Sequence, residues 1–164
     1  MTVMGHMGQK MMMTKILLKN GFAYGSGVPC SILKKEIAEI EDTQEIFYVP
    51  AVDEGVALGL VNGFMLAGKS AFLLTQNSAV GRVADLVMSF NISYDMPLFW
   101  IISMRGYNGD TRVHLASYGA TYTILEYLNF AIFDFRIKGK EFENALNYYI
   151  KNKKNTVFLR YKND

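Results

Sequence analysis

The stretch Asp53–Gly81, DEGVALGLVNGFMLAGKSAFLLTQNSAVG, decides how the chain is read. It opens with two acids, runs through Ala, Gly and apolar residues to an Ala-Gly turn, and then changes period to the apolar block SAFLLTQ. The first part predicts a helix with Asp53 and Glu54 in its first turn, where the helix dipole favours acids. The second predicts a strand, and the polar QNS closes it before another helix, VGRVADLVMSF.

Working outward, the same alternation continues. Upstream lie a short helix over 14–20, a small strand FAY, the loop GSGVPCS, the helix SILKKEIAEIED with Ser31 as its candidate cap, and the strand IFYVPA. Downstream come the strand PLFWIISM, a polar loop RGYNGDTRVHLASYG, the helix TYTILEYLNF, the strand AIFDF, the helix EFENALNYYIKN and the strand TVFLR. Strands alternating with helices predict an α/β domain: three layers, an open, mainly parallel six-stranded sheet, and helices on both faces. The near-continuous apolar run of PLFWIISM requires burial on both faces, as in a central strand. Residues 14–164 are read as one domain, and 1–13, crowded with Met, Gly and His, as a flexible leader or expression remnant.

Composition excludes several functions. Seventeen basic residues against fifteen acidic ones leave a net charge of +2, too mild for a nucleic-acid-binding face. No apolar block approaches the roughly 20 residues of a membrane span. The single cysteine, Cys30, removes any internal disulfide framework and fits a reducing cytoplasm. The G-S-G at Gly25–Gly27 lacks the third glycine of a dinucleotide fingerprint.

In an open parallel sheet, ligands sit beyond the carboxyl ends of the strands. That edge carries the loops containing Cys30, Glu54, Gln76–Ser78 and Arg105, so the unusual polar residues are expected to converge there. Several candidates also have a plainer reading: Glu54 as a helix-start acid, Gln76 to Ser78 as strand-end caps, Cys30 as a packing residue, Arg82 as a surface residue, and His114 as a solvent-facing loop residue.

The segment from Asp53, with Gln76-Asn77-Ser78, Arg105-Gly106 and the turn Gly27-Val28-Pro29, resembles the pyrimidine-binding domain of thiamine diphosphate decarboxylases, of the phosphonopyruvate and sulfopyruvate decarboxylase type. The likeness runs from about Gly21 onward. Cys30, where phosphonopyruvate enzymes usually carry Asp, looks like the sulfopyruvate type; Ala79 and Arg82 also depart from the phosphonopyruvate pattern, whereas His114 with Gly119 resembles it.

The resemblance implies thiamine diphosphate and Mg2+ as cofactors. Glu54 would bond the pyrimidine ring nitrogen from a desolvated setting with few competing charges, with Pro29 and Gln76 also at the cofactor. His114 would assist proton transfer, and Cys30, Ser31, Asn77, Ser78 and Arg105 would meet a small 2-oxo acid substrate, Arg105 and Arg82 being the suitable donors to its second anion. The element that carries magnesium and diphosphate, Gly-Asp-Gly followed by Asn, is not found in the sequence. The resemblance therefore implies a diphosphate-binding beta subunit as partner in an α2β2 or higher heteromer. Carboligation of the acetolactate synthase type and a noncatalytic scaffold role are the alternatives.

Overall fold

The computed structural model describes residues 13–134 and 140–162, so residues 1–12 of the expected leader and Phe135 of the expected strand AIFDF lie outside the described residues. Met13 is the first residue of a helix. The elements in chain order are α1 (Met13–Lys19), β1 (Tyr24–Gly27), α2 (Lys34–Asp42), β2 (Phe47–Pro50), α3 (Glu54–Leu66), β3 (Ala71–Gln76), α4 (Ala79–Leu86) with a π-helical turn (Val87–Ile92), β4 (Phe99–Ser103), α5 (Arg112–Tyr127), β5 (Ala131–Asp134), α6 (Glu141–Asn152) and β6 (Thr156–Arg160).

The six strands form one sheet in the order β2-β1-β3-β4-β6-β5. Every pairing is parallel. Because successive side chains point to opposite faces, β3 divides itself between two cores. Phe72 and Leu74 pack with Ile16, Leu17, Ile37, Ile40 and Leu146 of α1, α2 and α6. Ala71 and Leu73 pack with Leu58, Val61, Val83 and Leu125 of α3, α4 and α5. The sheet is thus the middle of three layers, and β4 is buried along its whole length, as the apolar run PLFWIISM demands.

Three local expectations are corrected. The first strand is not FAY but Tyr24–Gly27, so G-S-G is inside the sheet rather than in a loop. Glycine has low strand propensity, yet Gly25 is required here: a Cβ on it would meet the Phe72 ring, so the central core packs against bare backbone. Ser31 does not cap α2, whose N-terminal boundary residue is the buried Leu33 with no side-chain cap. The core takes Leu33 and leaves Ser31 exposed in the preceding turn.

The polar segment 105–119 is a loop only to Thr111, because α5 begins at Arg112 and runs sixteen residues. Its first two turns carry outward-facing apolar side chains such as Val113, 76% exposed, which hides the helical period from a hydropathy reading.

Candidate functional site

The carboxyl ends of β1, β2, β3 and β4 lie on one edge of the parallel sheet, and the loops leaving them hold Pro29 and Cys30, Glu54, Gln76 to Ser78, and Arg105. Asp53 ends the β2 loop as the N-cap of α3, its carboxylate accepting from Val56 N at 3.0 Å. That backbone bond, with further help from Gly55 and Arg82, holds the Asp53 carboxyl below its ordinary value. The cap makes Glu54 the first residue of the helix.

The Glu54 side chain is only 14% exposed, while its neighbours Val52 and Val56 are 92% and 47% exposed. The setting with few competing charges expected for Glu54 is not found: Arg82 Nη1, reaching from α4, stands 3.4 Å from Glu54 Oε2. Arg82 follows the QNS turn by one helical turn, which brings it over the start of α3. It is the only polar partner of Glu54 among the described residues.

At the β3 end, Gln76 Nε2 donates to Ser78 Oγ at 3.0 Å and lies 3.4 Å from His114 Nδ1. An amide N–H donates, so this contact pairs with Nδ1 in the tautomer that leaves Nδ1 an acceptor. His114 is thus a residue of the first turn of α5, facing the strand end, and not a loop residue. Gly106 makes this approach possible. Its φ of +89° favours glycine, and a Cβ would run into the His114 carbonyl.

Asn77 is buried and used internally. Its Nδ2 donates to Arg105 O (3.1 Å) and Thr121 Oγ1 (3.3 Å), and its Oδ1 accepts from Arg105 N (3.0 Å). The β3 end, the β4 end and α5 are therefore tied at one amide. Arg105 in turn forms a two-pronged pair with Asp110, Nε to Oδ2 at 2.6 Å and Nη2 to Oδ1 at 2.8 Å. The backbone N–H groups of Gly106 and Thr111 also donate to Asp110. The Arg105 bonds, seconded by these N–H groups, hold the Asp110 carboxyl well below the usual carboxylate range, and the same pairing raises the Arg105 guanidinium.

On the β1 side, Cys30 Sγ lies 3.1 Å from Ser103 Oγ, and that hydroxyl is 3.4 Å from Thr75 O. Pro29 and Ser31 flank Cys30 and are exposed. Beside them a cavity of about 470 Å3 opens between the ends of β1, β4 and β6, lined by Ser31, Arg105, Asp110, Arg160 and Lys162 among others. Arg160 and Lys162 were not singled out from the sequence. The available signal was TVFLRYK, an apolar strand whose first cations fall on the same edge as Arg105.

Among the described residues no group of three or more His, Cys, Asp or Glu side chains is placed to hold a metal, and no helix is long and apolar enough to cross a membrane.

No family model matches the chain. It is 33% identical over 92 residues to sulfopyruvate decarboxylase subunit alpha of Methanococcus maripaludis, which covers 56% of this chain and 55% of that protein. The subunit of the same name from Methanocaldococcus jannaschii is 38% identical over 79 residues, 48% of this chain and 47% of that protein. The one from Methanothermobacter thermautotrophicus is 30% identical over 90 residues, 55% and 54% of the two chains. The chain thus spans about half the length of the curated relatives it matches, and over that half it is similar to the alpha subunits of sulfopyruvate decarboxylases.

Proposed function

We propose that this chain is the pyrimidine-binding subunit of a split, thiamine diphosphate-dependent 2-oxo acid decarboxylase that acts on sulfopyruvate, or on phosphonopyruvate, and releases CO2 and an aldehyde. The observation that carries the reading is Glu54: a largely covered carboxylate at the start of α3, at the ligand-binding edge of a parallel sheet, bordered by solvent-facing valines. The names of the similar proteins, sulfopyruvate decarboxylase subunit alpha, supply the substrate and the expectation of a partner.

The residues present fit the cofactor. Apart from the exposed Arg82, nothing polar among the described residues occupies the Glu54 carboxyl, so it has an oxygen to share a proton with a ring nitrogen. Val52 and Val56 offer the apolar shoulders of an aromatic ring. Bound thiamine diphosphate supplies the nucleophile and the electron sink for loss of CO2. Its diphosphate and Mg2+ belong in this reading to a beta subunit in an α2β2 or higher heteromer, a partner that the name subunit alpha of the similar proteins supports.

The chain's own residues divide the remaining work. Glu54 holds a proton at the ring nitrogen through the carboxyl oxygen that Arg82 leaves open. Gln76 contacts His114 at Nδ1, leaving Nε2 as the ring atom available to assist proton transfer. Pro29 and Cys30 form the wall next to Glu54 in strand order. Asn77 acts as a positioning residue that sets Arg105 and α5, and Ser78 keeps the Gln76 amide in place.

The test is CO2 release from sulfopyruvate and phosphonopyruvate, with the chain alone and mixed with its beta subunit, thiamine diphosphate and Mg2+. Turnover only in the mixture is expected. Silence from a properly assembled complex overturns the decarboxylase reading in favour of carboligation or scaffolding.

A further inference from the structure

The cavity between the ends of β1, β4 and β6 is not used by the reading of Glu54. Its volume, about 470 Å3, lies in the roughly 300–1,000 Å3 range of small-ligand sites. Three cations line it, Arg105, Arg160 and Lys162, against one carboxylate, Asp110. Counting Glu36, which pairs with Arg160 at 3.1 Å, the cations outnumber the carboxylates by one among the described residues.

The three cations are held differently. Arg105 gives Nε and Nη2 to Asp110, and its Nη1 has no partner among the described residues. Arg160 is fixed, Nε donating to Glu36 Oε1 and Nη1 to Tyr161 O at 2.7 Å. Lys162 follows β6 and is exposed; Tyr107 Oη donates to its backbone carbonyl at 3.1 Å, which places the residue at the cavity wall. Its ammonium forms no ion pair among the described residues. A guanidinium with Nη1 open, a second guanidinium held as a fixed positive charge and one adaptable ammonium suit an oxyanion with several acceptor oxygens. Ser31 adds a hydroxyl, and its neighbour Cys30 touches Ser103 at the end of β4, so the cavity adjoins the edge that holds the other site residues.

We infer that this cavity receives the tetrahedral oxyanion, of the sulfonate class, at the far end of the substrate, with Lys162 and Arg160 selecting for that group. The identity of the whole molecule rests on the proposed decarboxylase reading; anion binding by the cavity does not. Arg82, the other donor suggested by the sequence, is occupied with Glu54 instead.

The probe is sulfoacetate, a carboxylate with a sulfonate, titrated into the full chain and followed by amide chemical shifts, with propanoate for comparison. Shifts at Ser31, Asn108 and Lys162 should saturate with sulfoacetate and not with propanoate. Lys162→Ala should weaken binding roughly tenfold, the loss of one charge-assisted contact. Arg160→Gln, which removes the fixed charge, should weaken it as well. Lys151→Ala, at the end of α6, should leave it unchanged. In the assembled complex Lys162→Ala should raise KM for sulfopyruvate far more than it lowers kcat. Absence of saturable shifts, or wild-type binding by both cavity variants, overturns the inference. So does a complex that decarboxylates sulfopyruvate with an unchanged KM after Lys162→Ala. A complex that releases no CO2 while sulfoacetate still binds at these residues overturns the decarboxylase reading alone.

Discussion

Two parts of the same sheet edge are built in opposite ways. At the end of β2, Glu54 has one ion pair, to a largely exposed arginine, and solvent-facing Val52 and Val56 stand on either side. At the end of β4, three strand positions away, Arg105 is held by a two-pronged pair with Asp110, and its backbone is clamped to the buried Asn77. The second region answers most of its polar groups from within the chain, which ties the β4 end to α5. The first leaves a carboxylate and apolar surface that the chain does not finish, as expected of a surface that a cofactor and a partner would complete.

If the contrast holds, substitution at Glu54 should damage turnover without damaging the fold. Glu54→Gln in the assembled complex should cut CO2 release from sulfopyruvate by about 10²–10⁴-fold, the scale of a lost acid–base group. Its urea unfolding, followed by the fluorescence of the single, buried Trp100, should stay within about 0.5 kcal/mol of the parent, as for substitutions away from packed features. Turnover equal to the parent would remove Glu54 from the chemistry.

The converse is expected at Asn77. Asn77→Ala strips a buried amide of three bonds and leaves Arg105 N and Thr121 Oγ1 short of partners, which should cost about 1–3 kcal/mol in the same unfolding measurement. A loss below the error of that measurement would show that the clamp is not what holds the β4 end.

The Asp110 carboxyl is depressed chiefly by Arg105. A depressed carboxylate contributes stability that is present above its unfolded value, about pH 4, and is lost as pH falls toward the folded value. Asp110→Asn should therefore lower the Tm by a constant amount from pH 7 to about 5, with the gap closing only in stronger acid. A gap that widens on acidification would reverse the assignment.

The smallest effect belongs to the open side. Arg82→Gln breaks a pair whose arginine is 65% exposed, and should change stability by less than about 1 kcal/mol. A larger loss would mean that the Glu54 region is also internally supported, and the contrast would collapse.

Much of the fold was legible because burial leaves a period in the sequence. SAFLLTQ and PLFWIISM are apolar on both faces and became β3 and β4, and DEGVALGL opened α3 at Glu54, with Asp53 as the N-cap before it instead of in its first turn. The misreadings have one physical source: residues whose place is set by contacts rather than by their own propensity. Gly25 is in a strand because Phe72 covers it, and the first turns of α5 are helical although Val113 faces solvent. Leu33 enters the core at the cost of the Ser31 cap.

At the site, the candidates after β1 to β4 could be placed on one edge from the sequence alone, because a parallel sheet puts all its carboxyl ends together. Their partners could not. Cys30 meets Ser103, Gln76 meets His114, Asn77 meets Thr121, and Arg160 meets Glu36 across 124 residues. Local periodicity, helix starts and the run of alternating elements are properties of neighbours along the chain, and the sequence by itself determined those. Which side chains pair, that Arg82 stands against Glu54, and that Arg160 and Lys162 share a cavity with Arg105 follow from the order β2-β1-β3-β4-β6-β5. That order brings together strands far apart in the chain, and only the tertiary structure decided it.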